Sequence, residues 1–151
     1  MAYTYAVLGG GRQGTAAAYD MAQHGDAERV LIGDIDVEAA ERSAARVDRL
    51  IGSPIASPHE LDVTDQEDLV AFLGPVDSFL SAVPYCNNPT ITSAAIEARS
   101  SMTDLGGKTD LVLEQMKRSA EAEAAGISII PDCGQVPGMG TSLTVYAMSL
   151  L

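Results

Sequence analysis

Short apolar stretches of strand length alternate along the chain with longer segments in which apolar residues recur at helical spacing. The apolar stretches predict six strands, at residues 3–8, 29–33, 54–61, 78–83, 101–105 and 127–131. The third is the weakest, because Pro54 and Pro58 cannot donate to a hydrogen-bond ladder. The intervening segments predict helices at residues 12–24, 37–51, 64–74, 109–125 and from Asn88 onward.

Two of these helix starts carry local signals. Thr64 and Glu67 have the Thr-x-x-Glu spacing of a capping box, in which each side chain binds the other residue's backbone N–H. Asn88 precedes Pro89, which places a capping residue before a proline at the first helical position. Both patterns predict where a helix begins.

Regular alternation of strands and helices predicts right-handed βαβ crossovers and a parallel sheet. The second, fourth and sixth strands are almost continuously apolar, as expected where helices cover both faces of the sheet. The predicted fold is therefore α/β, a doubly wound parallel sheet of the Rossmann type with six strands. A length of 151 residues without an interior linker corresponds to one domain.

A glycine-rich turn stands between the first strand and the first helix. Gly9, Gly11 and Gly14 have the G-x-G-x-x-G spacing, with Arg12 and Gln13 between the last two. In such a motif the first glycine permits a tight turn, the second lets a pyrophosphate approach the backbone, and the third lets helix and strand pack closely. Free N–H groups and the positive end of the helix dipole attract the anion. These features favour dinucleotide binding over a purely structural turn. The cofactor-binding residues predicted in this motif are Gly9, Gly11, Arg12, Gln13 and Gly14.

An acidic residue follows at the spacing that this motif requires. Asp34 lies 20 residues beyond Gly14, at the end of the second strand, where a carboxylate accepts hydrogen bonds from the adenosine ribose. The loop from Asp34 through Ile35 to Asp36 supplies no cation for a 2′-phosphate. Two like charges about 4 Å apart repel by roughly 4 kcal/mol at an effective dielectric near 20. The sequence therefore predicts NAD rather than NADP, with Ile35 also at the cofactor.

Three arginines on the second helix offer an alternative for that phosphate. They are Arg42, Arg46 and Arg49. Their position well along the helix favours instead a solvated face on which they pair with Glu38 and Glu41.

Further candidate contacts stand at the carboxyl ends of the strands, where open α/β sheets bind ligands. The cofactor-binding candidates are Asp62 and Val63 after the third strand, Ala82, Val83 and Pro84 after the fourth, and Gly106 after the fifth. The first pair is expected near the adenine, and the small residues are expected beneath the ribose and nicotinamide. Lys108 is a candidate group on the nicotinamide or substrate side.

Acidic residues outnumber basic ones by 21 to 9, which gives a net charge of −12. Nucleic acids and anionic membranes both require a basic surface, so this balance argues against either partner. No apolar run approaches the roughly 18 residues of a membrane-spanning helix, and the start of the chain lacks a secretory pattern. We therefore expect a soluble, cytoplasmic protein.

The cysteines and histidines indicate neither a metal site nor catalysis. Cys86 and Cys133 follow the fourth and sixth strands, so about 10 Å separates them, which is beyond disulfide reach. We expect two free thiols. His24, near a helix end, and His59, near a strand, are isolated and are expected at solvated or edge positions.

Four blocks of the chain resemble motifs of saccharopine dehydrogenase-like oxidoreductases. They are residues 7–14, 81–85, 104–107 and 130–139. Many nucleotide-binding proteins share the first block, whereas the Asp-Leu-Gly-Gly and Pro-Asp-x-Gly-x-x-Pro-Gly-Met blocks are more specific. The resemblance covers almost the whole chain and looks closest to the lysine 6-dehydrogenase branch.

This resemblance implies an NAD-dependent dehydrogenase acting on the carbon–nitrogen bond of an amino acid, with the lysine side-chain amine as the expected substrate group. Tyr85, Asp104 and Lys108 are then the catalytic candidates closest to the nicotinamide. In the family a second domain follows the Pro-Gly-Met block, holds much of the substrate and makes the dimer contact. Residues 1–138 would form the dinucleotide-binding domain, and residues 139–151 would begin the connection to a substrate domain absent from this chain, which would then be inactive alone.

Residues 140–151 are strongly apolar and require a cover, so we expect self-association, as a homodimer. Two alternatives to an amine-oxidising enzyme stay open. One is a stand-alone NAD-binding regulator whose apolar end docks on another protein. The other is a reductive enzyme that joins an aldehyde to an amine, as saccharopine and carboxynorspermidine dehydrogenases do.

Overall fold

The computed structural model describes residues 2–151, which form a six-stranded, wholly parallel sheet flanked by helices. The strands are β1 (Tyr3–Leu8), β2 (Ala27–Asp34), β3 (Ala56–Glu60), β4 (Ser78–Ser81), β5 (Ser101–Asp104) and β6 (Ile129–Ile130). The helices are α1 (Arg12–His24), α2 (Val37–Ile51), α3 (Gln66–Leu73), α4 (Asn88–Ala98), α5 (Thr109–Met116), α6 (Ser119–Ala125) and α7 (Gly140–Ser149). A 3₁₀ turn, Tyr85–Asn87, precedes α4, and an irregular turn, Gln135–Met139, precedes α7.

The strand order is β3-β2-β1-β4-β5-β6. Strands β2 and β3 therefore lie on one side of β1, and β4, β5 and β6 lie on the other. This order confirms the predicted doubly wound Rossmann fold. The loops that follow β1 and β4 lead to opposite faces of the sheet. A crevice therefore forms between them, at the carboxyl ends of the strands.

Two apolar layers hold the helices against opposite faces of the sheet. In β1, Ala6 and Leu8 face one layer and Val7 faces the other, because successive side chains of a strand alternate. The first layer includes Leu69, Leu73, Phe79 and Ile91, and the second includes Ala18, Val30, Ile32 and Val47. Since both faces are covered, β1 carries apolar side chains at the consecutive positions Ala6, Val7 and Leu8.

Helix α3 is capped by Asp65, so the predicted capping box at Thr64 is wrong. The Asp65 carboxylate accepts hydrogen bonds from the backbone N–H groups of Glu67 and Asp68, at 3.1 Å each. The Thr64 hydroxyl instead donates to the Asp62 carboxylate at 2.7 Å. Asp65 suits the cap because its charge also complements the positive end of the helix dipole.

Asn88 is the first residue of α4 rather than its cap, which corrects a second predicted helix start. Its buried side chain accepts a hydrogen bond from the Ser81 hydroxyl at 2.8 Å. Pro89 stays in the first turn, where no intrahelical donor is required. The amide that the local pattern assigned to capping therefore joins α4 to β4.

The helix predicted over residues 109–125 is two helices, α5 and α6. Between them, the Arg118 guanidinium donates to both carboxylate oxygens of Glu121 at 2.6 Å and to the Ser93 hydroxyl of α4 at 2.7 Å. These tertiary contacts accompany the break in an otherwise helical pattern. The sixth strand, at the sheet edge beside β5, is also shorter than predicted.

Helix α7 carries no buried residue, although many of its side chains are apolar. Leu143 is 57% exposed and Tyr146 is 63% exposed.

Because an exposed apolar surface of this kind marks a contact site, we expect the chain to self-associate through α7. Replacing Leu143 and Tyr146 together by Glu should yield a monomer in sedimentation velocity, whereas the control Thr144→Glu should leave association unchanged. An unaltered chain that stays monomeric at high concentration would contradict this prediction.

Candidate functional site

The turn between β1 and α1 depends on two of its glycines for folding. Gly9 has a φ of +104°, and its N–H donates to the Gly33 carbonyl at 2.7 Å. A Cβ on Gly9 would lie 3.0 Å from the Ala82 carbonyl oxygen. A Cβ on Gly14 would collide with the Gly9 carbonyl oxygen. These two glycines therefore bring the turn close to β4 and α1 close to β1.

Gly11 is required by neither the backbone conformation nor the packing of the protein. It caps the N-terminus of α1 with an ordinary φ of −70°, and a Cβ there would meet no protein atom within 4 Å. No side chain caps α1, so its first N–H groups have neither an intrahelical nor a side-chain acceptor. Free N–H groups, a positive dipole end and room at the backbone form a cradle for an anionic group.

The Asp34 carboxylate ends β2 beside this turn. Its Oδ2 accepts the Gly10 N–H at 2.7 Å, and its Oδ1 accepts the Asp36 N–H at 2.9 Å. These two bonds fix the carboxylate at the edge of the glycine turn and leave lone pairs available for further donors. The side chain is half-buried, so a ligand in the crevice can reach it.

A cleft of about 360 Å³ opens at the switch point between β1 and β4. Nine predicted cofactor-binding residues line it: Gly9, Gly11, Asp34, Ile35, Asp62, Val63, Ala82, Val83 and Pro84. Gly33, Leu61, Thr64 and Asn87 also line it and were missed. The first three of these adjoin residues that were predicted. Asn87 follows a strand end too, but its position on the 3₁₀ turn gives no local signal.

Four predicted residues do not line this cleft. Gly14 is buried behind the turn, Gln13 is exposed on α1, and Arg12 lines a separate groove. Gly106 lies instead beside Asp132, whose carboxylate occupies the space that a Cβ on Gly106 would need.

Asp62 supplies a second carboxylate to the cleft. The backbone N–H and the hydroxyl of Thr64 donate to its Oδ1, at 2.9 and 2.7 Å. These hydrogen bonds, the backbone one first, lower the pKa of Asp62 below its ordinary value. The side chain is therefore ionised at neutral pH and acts there as an acceptor.

A larger groove, about 1020 Å³, runs between α1 and α2 and shares Gly11 with the cleft. Its basic residues are Arg12, Arg42, Arg46 and Arg49. Arg42 pairs with Asp36 and with Glu38, at 3.3 Å each. The predicted pairing with Glu38 is thus confirmed for Arg42, whereas within residues 2–151 no arginine pairs with Glu41.

The three catalytic candidates lie near the carboxyl end of β5 but differ in exposure. Tyr85 is 46% exposed, and Lys108 is exposed at the start of α5. Asp104 is 0% exposed. Because its carboxylate is enclosed, it has no exposed surface for a nicotinamide or a substrate in this structure, which argues against Asp104 as a catalytic candidate.

The cysteines and histidines lie where the sequence predicts. Cys86 and Cys133 are free and exposed. His59 lies on the edge strand β3, its ring packed edge-on against Phe72 with the centroids 5.3 Å apart. Burial, followed by the charge of Arg29, lowers the pKa of His59. His24 is the exposed last residue of α1.

Within residues 2–151, no group of three or more His, Cys, Asp or Glu side chains is placed to hold a metal ion. None of the helices in this part of the chain is long and apolar enough to cross a membrane.

Three features coincide at the carboxyl edge of the sheet: an open glycine turn before a helix, a carboxylate at the end of β2, and a cleft at the switch point. Together they define a dinucleotide-binding domain of the Rossmann class. The model of the family described as "Saccharopine dehydrogenase NADP binding domain" matches residues 5–130. The chain therefore belongs to this family, and its domain is an NAD(P)-binding domain, as its motifs predict.

Solved structures of dehydrogenases share the fold. Saccharopine dehydrogenase (L-Glu forming) from Saccharomyces cerevisiae is 22% identical, with a TM-score of 0.74 over 97% of this chain and 31% of that one. Quinate dehydrogenase from Corynebacterium glutamicum, solved with NAD, is 18% identical, with a TM-score of 0.62 over 86% and 44%. Shikimate 5-dehydrogenase from Listeria monocytogenes, solved with shikimate and NAD, is 17% identical, with a TM-score of 0.58 over 90% and 47%. The chain thus spans between 31% and 47% of the length of these proteins.

Proposed function

We propose that residues 1–138 bind NAD and present its nicotinamide to a substrate whose carbon–nitrogen bond is oxidised. The observation that carries the proposal is the open cradle at Gly11, which the protein's own packing leaves unfilled beside a fixed carboxylate at Asp34. When bound, a nicotinamide ring supplies the hydride acceptor, which no amino-acid side chain can replace.

Each part of the dinucleotide has residues suited to it. The pyrophosphate would lie against Gly11 and the N-terminus of α1, and the adenosine ribose would donate to Asp34. Ile35, Asp62 and Val63 would border the adenine. The nicotinamide half would continue over the residues that follow β4, towards Gly106 and β5. We retain Gly106 as a candidate on that side although it lies outside the cleft.

The charge of Asp34 supports NAD over NADP. A 2′-phosphate would meet this carboxylate, and like charges about 4 Å apart repel by roughly 4 kcal/mol at an effective dielectric near 20. Arg42 is already paired with Asp36 and Glu38. Its positive charge is thus balanced within the protein before any phosphate binds.

We propose an amino-acid amine as the substrate, with the lysine side-chain amine as the specific candidate, because of the chain's Asp-Leu-Gly-Gly and Pro-Asp-x-Gly blocks. Amine oxidation requires the substrate ammonium to lose a proton before its C–H bond is broken. Tyr85 and Lys108 have exposed side chains in that region, and either could accept this proton when it is itself deprotonated. Residues 139–151 would lead towards further substrate-binding elements.

The structural likeness to a saccharopine dehydrogenase supports a second candidate, a reductive enzyme that joins an aldehyde to an amine. Its chemistry uses the same cleft with hydride flow reversed. The two candidates differ only in substrate and direction.

Fluorescence titration of the 151-residue chain with NADH tests the cofactor proposal, and micromolar binding is expected. Lysine-dependent reduction of NAD by the complete gene product tests the substrate. If NADH binds but lysine gives no reduction, the lysine proposal fails while the cofactor proposal stands. NADH oxidation that requires both an aldehyde and an amine would favour the reductive enzyme.

A further inference from the structure

The buried carboxylate of Asp104 holds two separate loops. Its Oδ1 accepts the backbone N–H of Gly106 at 2.7 Å and that of Asp132 at 3.0 Å. Its own carbonyl oxygen accepts the Cys133 N–H at 2.8 Å. One residue at the end of β5 therefore joins the loop before α5 to the segment after β6.

The second carboxylate oxygen of Asp104 is bound by a side chain of α5. Its Oδ2 accepts a hydrogen bond from the Gln115 side-chain amide at 2.8 Å, and the same nitrogen donates to the Thr92 hydroxyl at 3.1 Å. All three side chains are buried. Gln115 of α5, which is itself bonded to Thr92 of α4, therefore binds one oxygen of the carboxylate while the two loops bind the other.

The two loops and the turn after β4 meet in one continuous surface. A Cβ on Gly107 would lie 2.5 Å from the ring of Tyr85, so the glycine lies directly against that ring. A Cβ on Gly106 would collide with the Asp132 carboxylate. We call Tyr85, Gly106, Gly107 and Asp132 the β5 wall. Asp132 has a φ of +62°, in the left-handed region that Asp adopts more readily than most other non-glycine residues.

The β5 wall lies on the side of the switch point where the nicotinamide half of the dinucleotide would lie. Asp34 lies on the β2 side of the switch point and suits the adenosine ribose, whereas the wall lies on the β5 and β6 side. A dinucleotide that crosses the switch point extends its other half over that side.

We propose that Asp104 is a positioning residue, which holds Gly106 and Asp132 in the β5 wall over which the proposed function places the nicotinamide. This inference rests on the proposed function. Asp104 acts through Gly106 and Asp132 and touches no ligand itself. Since ADP-ribose lacks the nicotinamide, loosening the wall should weaken NADH binding and leave ADP-ribose binding unchanged.

Isothermal titration of the 151-residue chain with NADH and with ADP-ribose tests this selectivity. In Asp104→Asn the shape is kept but the negative charge is lost, so the hydrogen bonds from Gly106 and Asp132 weaken because their acceptor is no longer a carboxylate. We expect NADH affinity to fall about tenfold and ADP-ribose affinity to change less than twofold. Gly107→Ala, which disturbs the wall from its exposed side, should show the same selective loss even if Asp104→Asn does not fold.

Gln115→Met is the matched control, because it weakens the buried network without removing an acceptor from either loop. It should lower the melting temperature but leave the ratio of NADH to ADP-ribose affinity unchanged. Two results would overturn this inference but not the proposed function. One is an equal loss of affinity for both ligands in Asp104→Asn, and the other is a selective loss of NADH affinity in Gln115→Met. Failure of the unaltered chain to bind either ligand would overturn the proposed function and, with it, this inference.

Discussion

Replacing Gly11 by Ala is expected to lower NADH affinity at least 100-fold while the protein stays folded. A Cβ there meets no protein atom within 4 Å, and the φ of −70° suits any residue. The helix start loses roughly 1 kcal/mol, because Ala is a poorer cap than Gly. The added methyl group would instead occupy the space through which a pyrophosphate reaches the N-terminus of α1. Thermal unfolding and NADH titration measure the two effects separately.

Gly74→Ala is the matched control for this substitution. Gly74 has a right-handed helical conformation that any residue can adopt, and a Cβ there would make only ordinary contacts, the nearest at 3.5 Å, at the end of α3. We expect its NADH affinity to be unchanged. If Gly11→Ala bound NADH as tightly as Gly74→Ala, the pyrophosphate would not lie at this turn.

Asp34→Asn is expected to remove most of the discrimination between NADH and NADPH. With Asp34 in place, a repulsion of roughly 4 kcal/mol corresponds to a preference for NADH of about 100- to 1000-fold, since about 1.4 kcal/mol changes an affinity tenfold. The neutral amide should reduce this preference below about tenfold. NADH affinity itself should fall by about tenfold, because the ribose hydroxyls lose a charged acceptor.

Asp36→Asn tests whether the discrimination between NADH and NADPH depends specifically on the charge of Asp34. Asp36 is two residues away, caps α2 by accepting the Glu38 N–H at 3.0 Å, and pairs with Arg42. Asn also caps helices well, so this control removes a nearby charge while preserving the fold. Parallel titrations with NADH and NADPH should show the preference retained. Tighter binding of NADPH than of NADH by the unaltered chain would refute the role given to Asp34.

Local chemistry was enough to predict several elements to the residue. The structure begins and ends β1, α1 and α2 where the apolar pattern and the flanking glycines place them. Gly52, for example, ends α2 in a left-handed conformation with a φ of +83°. Elements that depend on neighbours were predicted less well. Thr64 and Asp65 are both good caps, and the apolar pattern cannot choose between adjacent ones.

The residues of the candidate site likewise differ in how well the sequence predicts them. Gly9, Gly11 and Asp34 come together because each stands at a strand end beside the switch point, and strand ends can be read from the sequence. Asn87 enters the cleft only through the 3₁₀ turn after β4, which no local signal marks.

The sequence by itself determined the doubly wound sheet and the dinucleotide-binding class, because both depend on periodicity and on residues a few positions apart. Only the tertiary structure decided that Asp104 is enclosed, since its surroundings come from α4, α5 and the segment after β6. Spacing along the chain places a carboxylate at a strand end, but whether it faces a ligand or holds two loops depends on what packs over it. Burial depends on how the elements pack together, so the sequence of any one segment cannot predict it.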